Sequence, residues 1–248
     1  MELHASNYSH FVKGITKYYH QLLLKLSSCD LCGEPCSDYL LLCQSCVDDL
    51  PLFDVGIING DLLNWPAVNK ILPKIKFDHL ICLSPYTTPF SDWLSQLKYH
   101  GRFEIAQLMA LLLSKQYQQT ISKNKSNKAN LIIAVPIHIT KWQQRGFNQA
   151  HLLAKVVAQH INIPYDEKML TRRKASKSQV GQSGKLRRKN LRGLFDVNLS
   201  SKKHTPEHVI LIDDVVTTGA TASEISRCLK LAGVKKVTVL ALCLSLPC

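Results

Sequence analysis

Asp213 and Asp214 stand side by side at the end of an apolar run, in the stretch VILIDDVVTTGATASEIS that covers residues 209–226. Immediately after them come Thr217, Thr218, Gly219, Ala220 and Thr221, and then an amphipathic stretch. A loop of hydroxyls and one glycine that runs into a helix start presents backbone N–H groups, O–H donors and the positive end of a helix dipole, a combination suited to phosphate. Glycine at 219 allows the backbone to approach a ligand closely. Two carboxylates beside such a cradle are explained by neutral hydroxyls between them: a ribose donates its 2′- and 3′-OH and the acids accept. The bland alternative is a strand ending in acids, followed by a capped helix.

A second cluster is made of sulfur. Cys29 and Cys32 form one C-x2-C pair, and Cys43 and Cys46 form another ten residues later. Two such knuckles supply the four thiolates of a tetrahedral zinc site. No open position is apparent, so a structural role is expected, with buried or disulfide-bonded cysteines as the alternative. Cys36 fits neither pair. The other four cysteines are scattered, and Cys82, Cys228 and Cys243 read as small core residues.

The third feature is charge. The 248 residues carry 31 Lys and Arg against 18 Asp and Glu, a net +13. Ten of those cations fall between Lys168 and Arg192, a block with no acid. A balance of this kind points to a polyanion or a phosphate-rich ligand. Ten charges exceed what one pyrophosphate can use, so a nucleic-acid backbone is expected as a further partner, contacted by Arg172, Arg173, Lys174, Lys177, Lys185, Arg187, Arg188, Lys189 and Arg192. A solvated loop and a lid over pyrophosphate are the competing readings.

The elements that would position these groups follow from periodicity. Residues 11–26 read as a helix. Residues 79–83, 131–135, 208–212 and 236–244 read as strands, and 92–98, 104–118, 148–159 and 220–232 as helices. Strands alternating with helices predict an α/β fold with a parallel sheet, whose ligands sit at the carboxyl ends of the strands. Residues 1–55 are expected to form an N-terminal helix and a cysteine-ligated metal domain. Residues 56–79 read as an irregular connection, residues 80–248 as the α/β domain, and residues 138–146 as a basic loop between strand and helix. No apolar run approaches the ~20 residues that span a bilayer, and no signal peptide is visible. A cytoplasmic protein without membrane insertion is therefore expected.

VILIDDVVTTGAT resembles the phosphoribosyl pyrophosphate (PRPP) motif of type I phosphoribosyltransferases. That resemblance implies ribose hydroxyls on Asp213 and Asp214, a 5′-phosphate on residues 217–221, and Mg²⁺ accompanying PRPP. LKYHGR (97–102), VPIHITKWQQRGFNQAHLLA (135–154), LTRRKASKSQVGQSGKLRRKNLRGLF (170–195) and the knuckles together resemble the ComF/GntX competence family. This implies a type I phosphoribosyltransferase-like domain with an N-terminal zinc ribbon, and a part in DNA uptake and natural transformation. Lys141, Arg145 and Gly146 take the place of its pyrophosphate loop, and Arg172, Lys174 and Gln179 that of its lid. The chain departs from the family pattern at Lys141, Gln143, Ser176 and Gly184. Three functions stay open: a competence factor that binds PRPP-like ligands and single-stranded DNA, an active phosphoribosyltransferase in nucleotide salvage, and a zinc-dependent adaptor for other DNA-uptake proteins. No base-accepting pocket is legible in the sequence.

Overall fold

A computed structural model describes residues 27–36, 41–72, 74–123, 129–173, 191–199 and 204–246. The helix expected at 11–26 lies outside these residues. The chain divides into two compact units, residues 1–51 and 52–248.

In the first unit an antiparallel bridge joins Ser28 to Pro35. Between them the chain turns at Gly33, whose φ of +81° favours glycine. The turn is closed by Cys29 N–H to Glu34 C=O at 2.7 Å and Gly33 N–H to Cys29 C=O at 2.9 Å. Cys43 caps a short helix, α1 (Gln44–Asp48), which carries Cys46.

The second unit is built on a parallel sheet of β1 (His79–Pro85), β2 (Leu131–Ala134), β5 (His208–Val216) and β6 (Lys236–Leu244), in the order β1-β6-β5-β2. These strands are almost wholly buried, as continuous Leu/Ile/Val runs require when both faces are covered. Helices α3 (Phe90–His100) and α4 (Phe103–Lys123) follow β1, helices α5 (Ile139–Arg145) and α6 (Gln149–Ile161) follow β2, and α7 (Ala220–Leu231) follows β5. Helix α4 packs along α6, and α7 packs on β6 and on β4 (Phe195–Val197). β4 pairs antiparallel with β3 (Leu170–Arg172) in a separate two-stranded ribbon.

Two stretches differ from the sequence expectation. Residues 138–146 are not simply a loop: α5 occupies most of them, with the His138 side chain accepting from Thr140 N–H and Gly146 ending the helix at φ +75°. Two turns with a cap at each end need no long apolar periodicity. Within 56–79 lies α2 (Pro66–Ile71), started by a proline at its first position, where a missing N–H costs nothing. The turn after α2 reaches the start of α7: a Cβ at Gly219 would meet Leu72 Cδ2 at 3.3 Å.

The connections decide where a ligand can sit. β2 leads through α6 to residues 164–166, which flank its outer side, where Ile132 bridges Tyr165. β5 leads through α7 to β6, on the opposite side. Neighbouring strands whose crossovers diverge open a crevice at their carboxyl ends.

Candidate functional site

The crevice is occupied by a cavity of about 530 Å³ lined by residues from β5, α3, α5, α6, β3 and the turn after β2. Strand β5 runs on through the two acids to Val216, paired with β6 by Asp213↔Ala241 and Val215↔Cys243. Its other neighbour, β2, ends at Ala134 opposite Ile212. The acids therefore lie just past the point where one flank of the strand is vacated, and both carboxylates line the cavity.

Their electrostatics differ. Burial and the neighbouring charge of Asp214 push the Asp213 carboxyl well above its ordinary range. Burial pushes up on Asp214 as well, but the Lys98 ammonium outweighs it and holds Asp214 below the usual value. Lys98 Nζ sits 2.7 Å from Asp214 Oδ2, both side chains being largely buried. Lys98 belongs to the LKYHGR segment, and no local pattern marks its role because it is over a hundred residues from its partner.

The opposite wall is cationic. Arg145, at the end of α5, donates to Gln149 Oε1 at 3.3 Å and to Tyr99 Oη at 3.1 Å, and its guanidinium lies 5.1 Å from the Tyr99 ring centre. Arg172, from β3, lies 5.5 Å from the Phe195 ring centre, and burial lowers its pKa. Lys141 and His138 complete this wall. Burial, then the charges of Arg172 and Lys141, push the His138 imidazole below its ordinary value. Arg145 Nε, Gln149 Nε2 and Arg172 Nε are buried without a hydrogen-bond partner, three of the four such side-chain atoms among the described residues. All three are donors. Buried donors left unmatched cost about 1–3 kcal/mol each.

Thr217, Thr218, Gly219 and Ala220 line a smaller recess of about 70 Å³, which Asp213, Val215 and Thr221 share with the main cavity. Gly219 caps α7 with φ +64°. Carboxylates, hydroxyl loop and basic helix are thus brought together. Gly146 instead lines a second, neighbouring cavity, which shares Arg172 with the first. Among the residues expected at nucleic acid, Arg173 is ion-paired with Asp196, and Arg192 is one of the charges that hold Glu224 down. Lys174, Lys177, Gln179, Lys185, Arg187, Arg188 and Lys189 lie outside the described residues.

In the N-terminal unit the sulfurs of Cys29, Cys32, Cys43 and Cys46 all lie within 4.8 Å of one another. Cys32 and Cys43 are 3.6 Å apart, and none of the four is in a disulfide. Burial pushes the Cys29 thiol up, yet backbone N–H groups of Cys43, Cys32 and Leu31 hold it down, to about 6. Four converging sulfurs with this spacing fit a tetrahedral thiolate site, for which sulfurs about 2.3 Å from one ion are needed. Cys36 is buried and is not part of the cluster.

The chain is 31% identical over 218 residues to the DNA utilization protein YhgH of Salmonella typhimurium, covering 88% of this chain and 90% of that one. It is 30% identical to Competence protein F of Haemophilus influenzae, covering 80% and 88%. The chain belongs to this family of DNA utilization and competence proteins. Competence protein ComFC of Bacillus subtilis is a further family resemblance, 30% identical over 62% of this chain and 61% of its own. No family model matches the chain. Among solved structures, the chain shares 18% identity with the glutamine PRPP amidotransferase of B. subtilis, over 54% of this chain and 25% of that one, at a TM-score of 0.36. No described helix is long and apolar enough to cross a membrane.

Proposed function

We propose that this protein serves DNA uptake and use, as the names of its relatives say of them, and that the main cavity binds PRPP or a closely related phosphoribosyl ligand. The observation that carries the reading is the chemical polarity of the cavity. One wall offers the carboxylates of Asp213 and Asp214, which accept from hydroxyls. The other is lined by the cationic side chains of Lys141, Arg145 and Arg172, which suit anionic oxygens. A ribose with a pyrophosphate supplies both, and the recess at residues 217–221 suits its 5′-phosphate. Mg²⁺ would accompany the pyrophosphate, and its charge would favour ionisation of Asp213. The basic block from Lys168 onward supports a single-stranded DNA backbone as a second partner. Cys29, Cys32, Cys43 and Cys46 would hold a structural Zn²⁺, and a cytoplasmic location fits the ligands proposed.

Calorimetric titration with PRPP and Mg²⁺ tests the cavity. Saturable binding at one site is expected, lost in the Asp213→Asn/Asp214→Asn variant while zinc content stays unchanged. Undiminished PRPP affinity in that variant would move the ligand elsewhere. Phosphoribosyl transfer is a second reading, favoured by the same pair of walls. In it, Arg145 and Arg172 would stabilise charge on departing pyrophosphate while a base nitrogen attacks ribose C1′. Pyrophosphate release with a panel of bases would decide between binding and turnover.

A further inference from the structure

Next to the main cavity lies a second one, of about 780 Å³, with a different lining. Pro136, Ile137, Asn148 and Arg172 belong to both, so the two are adjoining compartments. The second is walled by Trp142, Phe147, His151 and Tyr165, and its charged lining residues include Lys168 and Arg173 together with one acid, Glu167. Trp142 is 49% exposed, a large apolar face that the core does not use. Phe147 is braced edge-on by Phe103, ring centres 4.9 Å apart at 68°. His151 Nδ1 and Tyr165 Oη are hydrogen-bonded at 2.7 Å, their rings 5.5 Å apart. Arg173 is held by Asp196 through two charge-assisted bonds.

An aromatic wall with a few fixed polar groups suits a flat heteroaromatic ring. The cations argue for a ring that comes with phosphate, and Lys168 opens the acid-free block that ends at Arg192. A base within a duplex has both faces stacked and its pairing edge occupied, so only an unpaired base can enter such a compartment. We propose that the second cavity is a base pocket: it takes one unpaired nucleobase of a nucleic-acid strand against Trp142, Phe147 and the His151–Tyr165 pair, with the strand's phosphates at Lys168 and Arg173. This rests on the reading of DNA as a partner and assigns that partner a place beside the phosphoribosyl cavity. Burial, then Glu167 and Asp166, push the Tyr165 phenol up. It therefore stays protonated, a steady partner for His151.

Fluorescence anisotropy on the full chain tests the assignment with three probes: an oligothymidylate of about 16 nucleotides, an abasic strand of the same length, and the corresponding duplex. The thymidylate strand should bind roughly tenfold or more tighter than the abasic one, as stacking of one base implies. Trp142→Ala should abolish that preference while leaving salt dependence, zinc content and PRPP affinity unchanged. Trp142→Phe, which keeps an aromatic face, should retain most of it. Equal affinity for thymidylate and abasic strands would overturn the pocket, as would a preference that survives in Trp142→Ala or is lost in Trp142→Phe. Absence of binding to any strand at low salt would overturn both the pocket and the DNA reading. Loss of PRPP binding in the wild type touches only the first cavity.

Discussion

Replacing Lys98 by methionine keeps the length and apolar stem of the side chain and removes its charge. In the native protein Nζ is 2.7 Å from Asp214 Oδ2, and the two side chains are 16% and 21% exposed. Removing one partner of a fully buried pair costs about 3–5 kcal/mol, whereas exposed pairs contribute about 0–1 kcal/mol. This pair lies between those limits, so about 1–2 kcal/mol is expected. For a chain of this size that corresponds to a Tm lower by roughly 2–8 °C. The loss arises because Asp214 is left beside Asp213 without its counter-charge. It follows that Lys98→Met/Asp214→Asn should lose less than the sum of the single variants, with a coupling of about 1 kcal/mol. The pH dependence has a definite sign. Asp214 has its folded pKa held below the unfolded value, so its contribution is present above the unfolded pKa and disappears as pH falls through the folded one. The Lys98→Met penalty should therefore shrink as pH falls below about 4. Thermal unfolding of the four proteins at low salt, from pH 7 down to about 2.5, measures all of this. Additivity of the two substitutions to within ~0.3 kcal/mol, or a penalty independent of pH, would refute the reasoning.

Asp213 behaves in the opposite sense. Its raised folded pKa destabilises the fold as pH rises above the unfolded value, so Asp213→Asn should raise Tm at pH 7 by roughly 2–5 °C, and the gain should vanish toward pH 4 in the same unfolding assay. Cys32→Ser or Cys43→Ser should release bound zinc, read by elemental analysis, whereas Cys36→Ser should keep it, since Cys36 stands outside the cluster. Gly219→Ala forces an L side chain to φ +64° and brings its Cβ within 3.3 Å of Leu72. A loss of about 1–2 kcal/mol in denaturant unfolding is expected, together with weaker PRPP binding by calorimetry.

Short-range patterns were legible because they are local. Both cysteine knuckles bring their sulfurs together through turns of a few residues, and the acid–hydroxyl–glycine order of residues 213–221 is one uninterrupted strand–loop–helix. The α/β pattern was legible for the same reason: buried parallel strands read as apolar runs, and the helices between them show their stripes. Helix α5 is not legible in the sequence because ITKWQQR offers no apolar stripe and its ends are set by His138 and Gly146. The short helix α2 hid among the Gly, Asn and Pro punctuation of its surroundings.

By itself, then, the sequence determined the chemical types present: a four-sulfur cluster, a carboxylate pair before a phosphate-suited loop, and an excess of cations. Only the tertiary structure decided their company. The order β1-β6-β5-β2 and the divergence of the crossovers after β2 and β5 bring Lys98, Arg145, Gln149 and Arg172 around the two acids, and they set the aromatic compartment beside them. The reason is physical: side-chain periodicity reports which face of an element is buried, but strand order is fixed by which elements pack together, and that depends on contacts between residues a hundred or more positions apart.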